Sequence, residues 1–322
     1  MAGIGFALRR MLASESLAGK AQAYAVAGVI GSGPWVLSIA AMLLIALGQS
    51  YLRAPAALVQ PAPLAEFQVS VTWLMAASLL LTAPLQLAFT RYCADRMFAK
   101  EFSQVVPNLW GVLLLTMFLA FVVGVSALAV WFQDAQFSPL YRLAGLLAFV
   151  SLCCVWIVVS FTSAIQRYWH VFGVFVLCYG TTVLASLGLG RWGLGGLLLG
   201  FAIGQAGLMF CLLVLVMRQF PATQLLAFDF LQPQRMYPRL MLTGAYFTLG
   251  LWVDKFIFWA DPLAGVAVVG TLRASPLYDV PVFLSYLSLL PGIAVFLLHL
   301  ETDVALQSAN FHSTITRGGT LA

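Results

Sequence analysis

An all-α, polytopic membrane protein is what this chain predicts, on three observations. Of its 322 residues, 62% are hydrophobic and 8% are charged, and the mean hydropathy is +0.97. A soluble domain solvates its surface with roughly 25% charged residues, so the solvent this chain is built for is lipid. Charge-free runs near the ~20 residues a helix needs to cross the hydrocarbon recur along its whole length. They cover about 21–47, 67–89, 109–132, 143–165, 171–189, 194–217, 240–260 and 281–299, which makes about eight transmembrane helices.

The first nineteen residues stand apart from these spans. Ile4, Leu8, Met11 and Leu12 follow i, i+4, i+7, i+8 spacing beside Arg9 and Arg10. That pattern suits an interfacial amphipathic helix drawn to anionic lipid over residues 1–20; a frayed cytosolic lead-in is the plainer alternative for so short a segment. No small-residue cleavage site interrupts the apolar run that follows, so the first span is expected to stay in the mature protein.

Positive charge sorts the connections. Arg9, Arg10, Lys20, Arg91, Arg96, Lys100, Arg167, Arg218, Arg235, Arg239 and Arg317 fall on one side, and Arg53, Arg142, Arg191 and Arg273 on the other. The positive-inside rule puts the larger set, and with it both termini, in the cytoplasm. The net charge of +5 is dispersed along the chain and forms no basic stripe that would suit nucleic acid. Five cysteines, Cys93, Cys153, Cys154, Cys178 and Cys211, lie in or beside apolar runs and read as small packing residues.

Span one (in a first bundle of six, 21–217) contains GSGPW at 31–35. Gly31, Gly33, Pro34 and Trp35 fit a helix interrupted at mid-membrane depth, where freed backbone groups line a cavity; they fit a packed proline kink equally well. Between spans five and six, GLGRWG (188–193) matches G-x-G-x-x-G, but membrane spans flank it where a dinucleotide fold needs a strand and a βαβ unit. It reads as a tight turn. Gly196, Gly200 and Gly204 on span six repeat every four residues, a stripe that lets helix backbones approach closely.

Prolines 221, 233 and 238 mark 218–239 as a cytoplasmic linker. Residues 240–300 then supply two helices of a second bundle, and 301–322 a cytoplasmic tail. Six spans followed by two form an unfinished array, and the expectation is a C-terminally truncated chain of about twelve helices in two lobes.

Span seven carries the anomaly. Fourteen uncharged residues, Leu240 to Val253, lead to adjacent Asp254 and Lys255, and five more, Phe256 to Ala260, follow. Each charge costs on the order of 2.5–3.5 kcal/mol near a helix centre, so both need compensation. Neighbouring positions differ by about 100°, which turns the two side chains apart. Lys255 shares a face with Trp252 and Trp259, where cation–π contact is possible, and it lies close enough to the span's end to snorkel. Asp254 is too short to snorkel and needs a wet cavity or a partner. A role in a substrate pathway and a structural ion pair both remain open for this pair.

His170, His299 and His312 have no neighbours at metal-ligand spacing, and neither G-x-S-x-G nor a Walker A loop occurs. No enzyme, cofactor or metal is expected.

MAGIGFALRRML, AYAVAGVIGSGPWVLSI, LWVDKFIFWADP and SPLYDVPVFLSYLSLLPGIAVFLLHLETD, in that order, resemble the PelG family. The resemblance implies a flippase-like protein of the multidrug/oligosaccharidyl-lipid/polysaccharide superfamily in the bacterial inner membrane, with two six-helix bundles around a central cavity. It also implies export of an N-acetylgalactosamine-rich exopolysaccharide, the Pel polymer, during biofilm matrix formation. The partners it implies are a cytosolic glycosyltransferase, a small membrane subunit and a membrane-bound cyclic-di-GMP receptor. A non-conducting membrane scaffold that docks the glycosyltransferase and the receptor is the alternative.

Overall fold

The computed structural model describes residues 17–53, 62–133, 137–162, 168–222 and 224–316. The amphipathic helix expected over 1–20 lies almost wholly outside the described residues, as do the last six positions of the tail.

Helices α1 (Leu17–Arg53), α2 (Ala62–Phe98), α3 (Val105–Trp131), α4 (Pro139–Thr162), α5 (Tyr168–Leu189) and α6 (Gly193–Gln219) correspond to the first six expected spans. Helix α7 (Pro238–Ala260) is the seventh, and a hairpin of β1 (Val266–Val269) and β2 (Leu272–Ala274) follows it. The eighth expected span is divided into α8 (Pro276–Ser288) and α9 (Leu290–His299), and α10 (Ala305–Thr316) lies beyond.

Six stretches of the described residues are long and apolar enough to cross a membrane: Gly31–Tyr51, Leu64–Phe98, Phe102–Trp131, Pro139–Phe161, Trp169–Gln219 and Pro276–Val304. Trp169–Gln219 holds both α5 and α6, so the six stretches account for seven of the eight expected spans. Helix α7 is not among them, since its 23 residues include Asp254 and Lys255. At 1.5 Å per residue those 23 residues still reach about 35 Å, enough for the hydrocarbon core. The chain is an all-α polytopic membrane protein, with the single hairpin as the described exception.

Packing groups the chain in a way its order does not suggest. One compact unit combines residues 17–38, 168–172 and 280–316 of the described chain, and the other combines 39–162 and 173–279. Helix α7 thus belongs with the helices before it, and not with α9.

In the smaller unit, α1 and α9 meet through small residues. Ala23 and Ala27 are fully buried around Leu298, and a side chain at Gly28 or Gly31 would press on Ala294 or on Ile293 and Leu297. Helix α1 runs unbroken through GSGPW, with Pro34 inside it and Ser32 Oγ donating to Gly28 O at 2.7 Å. Span one is therefore a continuous, packed helix, and no interruption is present there. The interruption falls in the last span instead. Pro291 has no N–H for the residue 287 carbonyl, and α8 and α9 separate at Leu289.

In the larger unit, Ile45, Phe67, Tyr141, Leu152, Leu197 and Phe201 centre a core between α1, α2, α4 and α6. Two hydrogen bonds cross from α4 to α2, Tyr141 OH with Ser70 Oγ at 3.0 Å and Trp156 Nε1 to Ser78 Oγ at 2.9 Å. The turn between α5 and α6 is tight, with Gly193 at φ +73°, a left-handed conformation that glycine adopts without strain. A Cβ at Gly196, Gly200 or Gly204 would collide with Leu189 O, the Ser186 backbone or Thr182. The stripe therefore lies where α5 and α6 backbones touch. All five cysteines are free thiols. Phe118, Phe121, Leu184 and Phe210 stand more than half exposed, as side chains facing lipid do.

The segment expected as a linker is a docked strap. Ala227 N donates to Pro107 O at 3.1 Å, and Asn108 Nδ2 donates to Asp229 Oδ2 at 3.2 Å. Phe230 is buried beside Phe89 and Tyr92, and Tyr237 OH donates to Asp95. This correction has a simple cause: the three prolines break the helix, but Phe230 and Asn108 supply the packing and polar partners that hold the strap down.

Candidate functional site

The opposite end of the larger unit, where α7 finishes, holds the intramembrane charges. Asp254 is six residues before Ala260, about 9 Å along the helix. Its Oδ2 accepts a 2.6 Å hydrogen bond from Tyr278 OH. The Tyr278 ring lies flat on Phe258, with centroids 3.9 Å apart and planes at 11°. Positions 254 and 258 share one face of α7, so a single tyrosine satisfies both the carboxylate and the aromatic residue one turn later.

Lys255 does not diverge from its neighbour. Its Nζ folds back to 3.7 Å from Asp254 Oδ1 and 3.4 Å from Leu251 O, and lies 5.2 Å from the Trp252 ring centroid. Four methylenes give the ammonium reach that the 100° offset of the Cα positions does not forbid. The expectation that the two charges cannot meet is thereby corrected. The Lys255 side chain is 12% exposed and that of Asp254 37%. Asp254 Oδ1 is buried and accepts no hydrogen bond.

Trp259, grouped with Trp252 in the sequence, does something else. It is 3% exposed, packs on Trp73 with centroids 4.8 Å apart, and donates Nε1 to both Asp279 oxygens at 3.0 Å. Its faces are covered by protein and offer no platform to a ligand. Trp252 is half-buried and keeps the cation–π contact.

Three residues of this corner escaped sequence reasoning: Arg273, Tyr278 and Asp279. Arg273 on β2 places Nε on Trp259 O at 2.7 Å, and its terminal nitrogen on Asp261 O at 3.1 Å and Gly265 O at 2.6 Å. A guanidinium thus sits on the Trp259 carbonyl at the end of α7, where the helix dipole is negative, and on two carbonyls of the turn that follows. Trp73 Nε1 donates to Arg273 O at 2.8 Å and ties the hairpin to α2. Asp279 also accepts from Ser275 N at 2.9 Å, closing the first turn of α8. A signal for that helix start was present, since an acid follows Ser275-Pro276 within one turn.

Gly31, Gly33, Pro34 and Trp35 are not part of this cluster. Gly33 packs against Phe172, and Trp35 meets Tyr286 edge-on with centroids 6.5 Å apart, both contacts lying within the smaller unit. At the basic end of the larger unit, a groove lined by Leu85, Phe89, Phe230, Arg235 and Tyr237 runs beside the strap, and Asp254 is not among its lining residues.

These features define a class: a multi-pass helical membrane protein with an acidic and a basic side chain held inside one apolar helix. Residues 1–322 match the family model for PelG, described as "Putative exopolysaccharide Exporter (EPS-E)". The chain belongs to the PelG family. No curated protein and no solved structure matches it significantly. The family is one of exporters, so transport rather than catalysis is the class of activity it carries.

Proposed function

We propose that the chain exports an exopolysaccharide across the bacterial inner membrane, and that the cargo is the Pel polymer, rich in N-acetylgalactosamine, laid down in the biofilm matrix. The supporting observation is Asp254. A carboxylate inside an apolar helix retains more than a third of its side-chain surface, although Tyr278 and Lys255 both contact it. Intramembrane carboxylates persist where water or a substrate reaches them. In this reading Asp254 and Lys255 offer hydrogen bonds to sugar hydroxyls and amides, and Trp252 supplies the apolar stacking face. Trp259 is dropped from that role because its rings are buried. Weak, repeated contacts suit a polymer that has to keep moving.

The basic end, with Arg91, Arg96, Lys100, Arg218, Arg235 and Arg239, faces the cytoplasm in this proposal. It would there meet the glycosyltransferase, while the small membrane subunit and the cyclic-di-GMP receptor complete the complex. Asp254→Asn tests the reading: polymer secretion falls at least tenfold while membrane level and complex assembly stay normal, a change of about 1.4 kcal/mol or more in the step affected. Secretion at the wild-type rate from that variant removes Asp254 from the pathway and leaves the scaffold alternative.

A further inference from the structure

The ammonium of Lys255 lies among a carboxylate, a backbone carbonyl and an aromatic ring. Three electron-rich groups from a single turn of α7 converge on it: Asp254 Oδ1 at 3.7 Å, Leu251 O at 3.4 Å and the Trp252 ring at 5.2 Å. Carboxylate and carbonyl oxygens are both donors that hard cations take, although Leu251 O lies within the unbroken α7 and also faces Lys255 N–H in the helix ladder; an aromatic face adds attraction for positive charge. The second carboxylate oxygen is taken by Tyr278. Oδ1 accepts no hydrogen bond, so the ammonium is the positive charge that faces it.

Like other long helical side chains, Lys255 is directed toward the N-terminus of α7, over the turn before it. It meets Leu251 O there, away from the nearer helix end at Ala260, and its side chain is only 12% exposed. The other charged groups at this corner are engaged elsewhere. Arg273 sits on the carbonyls of Trp259, Asp261 and Gly265, and Asp279 sits on Trp259 and Ser275.

We propose that Lys255 is a tethered counter-cation that fills a monovalent-cation seat formed by Asp254 Oδ1 and Leu251 O. The wild-type site then takes up no sodium, and movement of the exported polymer is not coupled to sodium through this carboxylate. The proposal deepens the pathway reading of Asp254 and takes its consequence for transport from it. The seat itself is read from binding alone, so the two stand or fall separately.

The test uses the full chain purified into lipid nanodiscs, with melting temperature compared in sodium chloride and in choline chloride at about 150 mM. Wild type melts at the same temperature in both salts. Lys255→Met vacates the seat and melts about 2 °C higher in sodium than in choline, the shift expected from a cation at several times its dissociation constant. Adding Asp254→Asn to Lys255→Met abolishes the sodium effect. Should Lys255→Met be too unstable to purify, Lys255→Gln, uncharged but still a hydrogen-bond donor, carries the same arm. Sodium stabilisation of the wild type that disappears with Asp254→Asn overturns the proposal, and so does a neutral Lys255 variant indifferent to sodium. Asp254→Asn secreting polymer normally sinks only the pathway reading.

Discussion

Arg273→Met removes the one side chain that closes the end of α7. The methionine keeps most of the aliphatic bulk but leaves Trp259 O, Asp261 O and Gly265 O without the donors now at 2.7, 3.1 and 2.6 Å. Hydrogen bonds to a charged group contribute about 1.5–3 kcal/mol each, and a cation at a helix C-terminus up to about 2 kcal/mol more. The corner is half-buried, so water takes over part of this when the guanidinium leaves. Counting the two short bonds and discounting the longer one, the net loss is about 2–4 kcal/mol. For a chain of this size that corresponds to a melting temperature lower by roughly 3–6 °C. Thermal unfolding in nanodiscs reads the total, and amide exchange over 261–275 shows whether the hairpin loosens first. Arg273→Lys recovers less than half, because one ammonium does not span three carbonyls as a planar guanidinium does. A melting temperature for Arg273→Met within about 1 °C of wild type would refute the capping argument.

Two further substitutions follow from packing. Gly200→Val drives a branched side chain into the Ser186 backbone and should abolish recovery of folded protein. Gly207→Ala, whose Cβ meets nothing within 4 Å, should leave yield and melting temperature unchanged; size-exclusion profiles compare the two. Phe230→Ala empties the site beside Phe89 and Tyr92, at a cost of about 3–5 kcal/mol. It should make the 221–237 strap sensitive to protease while the helices stay protected, and equal resistance in variant and wild type would contradict the docked strap.

What could be read from the residues was what depends on local pattern. Apolar runs located α2 to α7, because lipid demands an unbroken apolar helix. The Gly196, Gly200, Gly204 spacing marked a face where helices touch, since only backbone closeness explains a stripe without side chains. Asp254 and Lys255 stood out because charge inside such a run has no local reason. The remainder depended on chain return. Arg273 looked like one more charge for counting topology, and only the hairpin at 266–274 brings it onto the carbonyls at the end of α7 and in the turn after it. Tyr278 lies 24 residues from Asp254, and Asn108 lies 121 from Asp229; no window along the sequence links them. GSGPW left two readings open for a different reason. Glycine and proline mark a broken helix or a tightly packed one, and which applies is decided by what packs alongside. Here that is Phe172 against Gly33, and Ile293 and Leu297 against Gly31.

The central claim is that an aqueous or glycan-filled path reaches Asp254 within the membrane. Asp254→Cys, made with Cys211→Ala so that the remaining native thiols are all buried, tests it with a membrane-impermeant thiosulfonate on intact membranes. The account predicts rapid labelling at position 254, slowed by the polymer's oligosaccharides, and none at Leu249→Cys, an exposed position about 140° away around the same helix. A thiol at 254 that reacts no faster than the one at 249 would contradict it.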